Sequence, residues 1–285
     1  MKSAPRWIFV SAMVMGCGGA SVPVAKEQTT NAARSPTRSS AAPSALECPD
    51  APRDAEPIAS EPAPVKLEEL NRLSQVKGVP VPPAICTAYV SRRSKAAKDV
   101  AAAVSETDPA ARDAMLVGLE SKDDATLRAL RADLAPIECG DAIVDPWMAG
   151  KREVRGRVGH AMVGLSLAGR LSRLPTTPPT MPAENDKSKV SAFVKGPLQA
   201  WSRQQAAALE AIESSAATLT GYGRAVSALE SGAAELRFID KLRSSPIPAS
   251  WDAELKGIYE AMLDEALEAR KARGRDAAAC WRDHA

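Results

Sequence analysis

The chain has 285 residues, with 37 Lys and Arg against 35 Asp and Glu, and only 4% aromatic side chains. A near-neutral balance with no concentrated basic face argues against a nucleic-acid binder, and an alanine-rich, aromatic-poor composition suits closely packed helices better than strands. Twelve of the 22 prolines fall before residue 84, so about 220 residues from Lys66 onward remain for one sizeable core or two small ones.

The chain opens with Lys2 and Arg6, runs through an apolar stretch from Trp7 to Met15 and closes on Gly16 and Cys17. A basic start, an apolar core of about 7–15 residues and a small-residue end describe an export signal. The apolar run is far shorter than the roughly 20 residues a membrane-crossing helix needs. The ending Val14, Met15, Gly16, Cys17 resembles the lipobox of bacterial lipoproteins, with Met15 where that family usually has Ala or Ser. The resemblance covers these residues only. It implies removal of residues 1–16, diacylglycerol on the Cys17 thiol and acylation of the new amino terminus. More than one acyl chain makes membrane anchoring stable. Gly18 stands where the family's inner-membrane retention signal has Asp, which implies the outer membrane, facing the periplasm or the surface.

Residues 17–65 read as a disordered linker, because mixtures of Pro, Ala, Ser and Glu with few large side chains cannot offset the entropy of ordering. A flexible coil of that length spans roughly 40 Å, and a polyproline-like one roughly 150 Å.

Helical spacing begins at Lys66, with Leu67, Leu70, Leu73 and Val76 on one face, and stops at the proline-rich stretch 78–83. A second helix is expected from Ala84 to about Ser105, with Ile85, Tyr89, Ala96, Val100 and Val104 inward. Asp108 and Pro109 form a cap followed by a first-turn proline, starting a helix marked by Met115, Leu116 and Leu119. Ser121 or Asp123 begins the next, which carries Leu127, Leu130 and Leu134 and ends before Pro136. Asp145 and Pro146 repeat the cap-and-proline signal, leading to a helix that ends before Pro175.

Residues 175–187 form a loop and the best internal boundary. A long helical run to Arg243 follows Gly196 and Pro197. Its apolar spacing is kept by Leu209, Ile212, Ala216 and Leu219, then slips to Tyr222, Val226, Leu229, Ala233 and Leu236. A kinked single helix is favoured there over a hairpin, because no strong cap or proline marks a turn. Ser250 can cap a last helix with Trp251, Leu255, Ile258, Met262 and Ala266 inward; Trp201, Trp251 and Trp281 are expected to anchor the final helices. No strand is expected, and no period of about 34 residues, the mark of tetratricopeptide arrays, recurs.

Apart from Cys17, the cysteines are Cys48, Cys86, Cys139 and Cys280. An even number in an exported chain implies two disulfides with three connectivities. Cys86 opens one helical stretch and Cys139 follows another, so Cys86–Cys139 is the favoured pair, leaving Cys48–Cys280. No CxxC spacing occurs and no metal or cofactor is expected.

The run from Gly164 through Ser166 to Ala168 has the outline of a serine-hydrolase elbow, but that motif needs a preceding strand and a nearby histidine base. The flanks are helical and His160 and His284 are the only histidines. Gly156, Gly159, Ala161, Gly164, Ser166, Ala168 and Gly169 instead make a small-sided helix suited to close packing. Glu138, Asp141 and Asp145 around Cys139, with His160 beyond, read as helix-capping acids beside a disulfide rather than a thiol or metal site. The basic groups at Arg92–Lys95, Lys151–Arg152 and Arg270–Arg275 read as solvated helix faces.

The sequence therefore specifies an all-α fold, a helical bundle or irregular helical array with long C-terminal helices. It divides into signal peptide 1–16, lipid-anchored linker 17–65, helical subdomain 66–174 and long-helix subdomain 188–285 packed on it. The expected role is not enzymatic: a membrane-anchored envelope scaffold or protein-binding module with an envelope protein partner. The alternative is a carrier of a small ligand or cell-wall polymer in a groove between helices. The first predicts an exposed apolar patch and the second a deep apolar pocket with few polar groups. An enzyme using Glu138 and Asp141 would need carboxylates converging in a cleft.

Overall fold

The computed structural model describes residues 61–73, 76–91, 94–121 and 124–282. Cys17, Cys48 and the rest of the expected signal and linker up to residue 60 lie outside the described residues, as do the side chains of Cys280 and Trp281.

Among the described residues the fold is all-α apart from one two-residue ladder. Strand β1 (Val65–Lys66) pairs antiparallel with β2 (Glu153–Val154), with Val65 opposite Val154, and the Leu67 amide extends the ladder to the Arg152 carbonyl at 3.0 Å. Helix α1 (Glu68–Leu73) follows at once, and Leu67, Leu70 and Leu73 are buried as their spacing predicts.

The expected helix 84–105 is broken. A 3-10 turn at Ala84–Cys86 leads into α2 (Thr87–Val90), and α3 spans only Val100–Val104. The Asp99 carboxylate accepts from the Ala102 amide at 2.8 Å, starting α3 afresh. Such local side-chain bonds compete with helix continuation. The leg before it is held on the next helix instead: the Lys95 amide donates to the Ala114 carbonyl at 2.8 Å. Of the five residues expected inward, Tyr89 is buried, while Ile85, Ala96, Val100 and Val104 are exposed.

Helix α4 (Pro109–Leu119) starts as expected, with the Asp108 carboxylate accepting from the Ala111 amide at 2.6 Å. Helix α5 (Ala125–Leu134) is capped by Asp124, through the Leu127 amide at 2.9 Å, rather than by Ser121 or Asp123. A 3-10 turn at Ile137–Cys139 leads into α6 (Gly140–Met148). Pro146 therefore lies inside a helix, and Asp145 is no cap. The helix expected to begin there starts later, as α7 (Gly156–Ser172), after β2. The disulfide Cys86–Cys139 is present, with Cα atoms 5.2 Å apart, and ties the start of α2 to the turn before α6.

Beyond the loop, Asp186 caps α8 (Lys187–Phe193). One π turn at Val194–Leu198 absorbs Gly196 and Pro197, and the helix continues as α9 (Gln199–Ala216). The chain then turns at residues 217–220 into α10 (Gly221–Arg243), with Gly221 at φ +55°. Two helices thus replace the single kinked helix, because a glycine in the left-handed region supplies the break that no proline does. The buried residues of α10 include Gly223, Ser227, Ala234 and Phe238; of the expected series, Tyr222 and Leu236 are exposed and Val226, Leu229 and Ala233 half-buried. Helix α11 (Ala253–Arg282) is capped by Asp252 rather than Ser250. It buries Leu255, Tyr259 and Leu267, as Trp251 just before it is buried, while Ile258, Met262 and Ala266 are exposed.

Helix α7 lies at the centre, packed against α5, α6, α9 and α10. Every residue from Gly159 to Leu171 except Ala161 is buried. A helix surrounded on all sides has no polar face to give it amphipathic periodicity. The main core gathers α1, α6, α7, α9 and part of α10, and includes Leu70, Val144, Leu165, Leu171 and Ile212. Two smaller clusters, around Phe193 with Trp251 and around Phe238 with Leu267, join α8, α10 and α11.

Small side chains set these distances. A Cβ on Gly164 would lie 2.2 Å from the Gly223 carbonyl oxygen, one on Gly223 2.0 Å from that of His160, and one on Gly140 2.3 Å from that of Leu165. Gly164→Ala and Gly223→Ala are each expected to lower stability by about 3 kcal/mol in urea unfolding. Gly257→Ala, on α11 with nothing near its Cβ, should raise it by about 0.5–1 kcal/mol. Replacing Cys86 and Cys139 together by Ala opens a link spanning a sequence separation of 53; the chain-entropy account expects a loss of about 4 kcal/mol, read from the same unfolding curves.

Candidate functional site

The residue types with catalytic potential are used as structural groups. Ser166 is fully buried; its hydroxyl donates to Asp145 Oδ1 at 2.7 Å and accepts from Arg170 Nη1 at 2.5 Å. His160 is also buried. Its Nδ1 accepts from the Thr220 amide at 3.1 Å, so the hydrogen sits on Nε2 and is donated to the Ala63 carbonyl at 2.9 Å. His160 thus fixes the start of α10 and the point where the chain enters the fold, and is no base for Ser166. Cys139 is in the disulfide. Asp141 is buried against Arg173 at 2.7 Å. Glu138 contributes its main-chain carbonyl to the same arginine at 2.7 Å. Among the described residues no group of three or more His, Cys, Asp or Glu could hold a metal ion.

Arg173, just after α7, joins four segments. Its Nε donates to the Pro80 carbonyl at 2.9 Å, and Nη1 to the Glu138 and Gly169 carbonyls and to Asp141; Nη2 also reaches Asp141. One turn earlier, Arg170 Nη2 pairs with Asp145 at 2.5 Å. Both guanidinium groups are almost wholly buried.

Above these pairs lies a groove of about 510 Å³. One wall is Leu67 with Leu70 and Leu73 of α1. The lip is the segment Val79–Pro82, and the opposite wall is Ala142, Pro146 and Met148 of α6 with Ala149 just after it. Asp141, Asp145, Arg170 and Arg173 form the floor. Pro83, next to the lip, has φ −66° and ψ 161°, an extended polyproline-like backbone. Val81 is 83% exposed, and the Asp145 side chain, 38% exposed, is the one floor group that solvent reaches freely.

A second buried polar cluster lies under α2. Arg131 donates to both oxygens of Asp113, at 2.8 and 3.1 Å, to Glu120 at 2.7 Å and to the Tyr89 carbonyl at 3.0 Å. Arg128 pairs with the same Glu120. Burial works against the Arg131 charge, but hydrogen bonding and attraction from Asp113 and Glu120 outweigh it and hold its pKa above the usual arginine value. The space beside this cluster is too small for a ligand, so the cluster joins α2, α4 and α5 internally.

The remaining candidates have structural partners. Trp201 stacks on Phe238, ring centroids 4.9 Å apart, and donates to Thr176. Trp251 is buried edge-on to Tyr259. Lys151 lies over the Trp147 ring, and Arg270 bridges Glu235 and the Phe238 face. Arg92 and Arg93 are outside the described residues.

Spacing alone exposes neither the groove nor the Arg131 cluster. The leucine stripe 67–73 reads as core, which it also is, and the lip reads as a helix stop. Arg128 and Arg131 sit one position from the leucines that hydropathy selects; their three-residue interval is the one local sign of an inward polar face.

Comparison with protein-family models, curated proteins and solved structures finds no match.

Asp113→Ala leaves the Arg131 charge buried with half its partners gone. Such a break is expected to lower stability by roughly 3–5 kcal/mol, measured by urea unfolding. A loss under about 1 kcal/mol would mean that the cluster is hydrated and contributes little.

Proposed function

We propose that this chain is a lipid-anchored envelope protein whose helical domain acts without catalysis, binding a protein partner in the groove between α1 and α6. The anchor rests on the export signal and on Cys17, and the outer membrane on Gly18. The binding role rests on one observation: an apolar trough whose floor charges are already paired with each other. Such a trough can bury a partner's apolar side chains without stranding a charge. The structural employment of Ser166, Cys139, Asp141 and His160 supports the non-catalytic part.

The alternative, a carrier for a small ligand or cell-wall polymer, is favoured by volume, since about 300–1,000 Å³ is the usual size of small-molecule sites. A protein partner is preferred because Val81 stands almost fully exposed on the lip. A lip open to solvent accommodates a chain that continues beyond the groove.

Two measurements test the parts separately. The intact mass of membrane-extracted protein should correspond to a chain beginning at Cys17 plus acyl groups, and Cys17→Ala should lose them. An unacylated wild-type mass removes the anchor. A photoreactive benzophenone side chain at position 81, irradiated in intact cells, should give a discrete adduct with another polypeptide. Adducts with glycan or lipid alone would transfer the groove to the alternative reading.

A further inference from the structure

We propose that His160 is an acid-sensitive latch: a proton taken from water onto its Nδ1 frees the turn between α9 and α10 from α7, while the chain's entry at Ala63 stays bound. The His160 ring is buried and joins two segments far apart in the chain. Nδ1 accepts from the Thr220 amide at 3.1 Å, and Nε2 donates to the Ala63 carbonyl at 2.9 Å. Only the neutral ring does both, because an imidazolium is a donor at each nitrogen.

The two sides respond differently to the proton. Nε2–H donates to Ala63 in either state, and more strongly from a charged ring. At Nδ1 two donors then face each other, and the Thr220 amide loses its acceptor. The Thr220 hydroxyl, 3.4 Å from Nδ1, can receive the new N–H but gives the amide nothing in return. A cation would also stand in the interior without a carboxylate bonded to it, which is costly.

The ring's bonds among the described residues go to Ala63 and Thr220, and to no charged side chain. Arg157 on α7, Glu61 and Lys66 on the entering segment, and Arg224 on α10 are exposed. Glu153 of β2 is paired with the exposed Arg155. Asp133 of α5 accepts from Tyr222, and Glu213 of α9 from Ser231.

Strain is relieved on the Thr220 side. Ala217, Thr218 and Thr220 are exposed, whereas Gly223 is fixed against the His160 carbonyl, where a Cβ would come within 2.0 Å of the oxygen. Opening is therefore confined to the turn ahead of that crossing. It admits water to Nδ1–H and to the Thr220 amide, and it uncovers the buried Leu219. The entering segment is held independently, by the Val65–Val154 rung and the Leu67 amide on the Arg152 carbonyl.

An opening that takes up one proton grows about tenfold per pH unit well below about 6.5, where an exposed imidazole titrates, and is insensitive to pH above it. Hydrogen exchange of the full chain, resolved to single amides and expressed as protection factors, reads this directly. From about pH 7.5 to about pH 5.5, Thr220 protection should fall about tenfold while that of Leu67 holds. His284→Ala removes the other histidine and should leave the fall intact. His160→Asn puts an amide oxygen where Nδ1 accepts, with nothing to titrate, and should make Thr220 protection flat. Constant Thr220 protection in the wild type overturns the proposal, as does a fall that vanishes in His284→Ala or persists in His160→Asn. Thr220 and Leu67 losing protection together marks global acid unfolding and overturns it too. If His160→Asn does not fold, nitrogen NMR of the wild-type imidazole decides. Nδ1 must gain its proton over the pH range in which Thr220 loses protection, and a ring still unprotonated there sinks the latch.

Discussion

The approach of α7 to α10 and α6, backbone against backbone, is the constraint on which the remaining structure depends. Where a missing Cβ brings one helix within reach of the next helix's carbonyl oxygens, the crossing point is fixed in position and in rotation. Gly164 with Gly223 fixes one side of α7, and Gly140 with Gly169 the other. Neither helix can turn about its axis without driving a larger side chain into that contact. This explains why α10 buries Gly223 and Ser227 while Tyr222 stays exposed: apolar side chains gain by burial, but only small ones fit a crossing this close.

A helix enclosed on every side also dictates what its polar residues must do. Buried donors and acceptors need partners, and α7 carries His160, Ser166 and Arg170, with Arg173 directly after it. Each is matched by a group outside the helix: the Ala63 carbonyl and Thr220 amide, Asp145, and the Asp141 carboxylate with the Pro80 and Glu138 carbonyls. These bonds place α6 and the Val79–Pro82 segment, and the groove is the space left between them and α1. Its geometry is a by-product of satisfying a buried helix, held by ion pairs whose loss would leave charges in the core.

What could be read in the sequence was local. Asp108 before Pro109, the loop expected over 175–187, which ends at Asp186, the leucine stripe 67–73 and the pairing of Cys86 with Cys139 depend on neighbouring residues or on where the adjacent helical stretches start and stop, and the structure contains them. The expected helix 84–105 fails because Asp99 bonds its own downstream amide and the preceding leg is held by α4, a partner far along the chain. Asp145 beside Pro146 imitates a cap, yet the carboxylate is drawn to Ser166 and Arg170 across the core. Arg128 and Arg131 look like an exposed face because hydropathy has no means of recognising that Asp113 and Glu120 await them. The groove has no local signature at all, since residues 67–82 and 141–173 form it jointly.

The route by which the chain enters the fold has a mechanical meaning. Any pull on the chain ahead of residue 61 is met in turn by the Ala63 carbonyl on His160, the Val65–Val154 rung and the Leu67 amide on the Arg152 carbonyl. All three attachments are to residues 152–160, the segment leading into the most deeply enclosed helix. Tension is therefore delivered to the stiffest part of the molecule before it reaches α1. The wall formed by Leu70 and Leu73 comes after these attachments along the chain, so a pull applied before residue 61 meets all three before it reaches the groove.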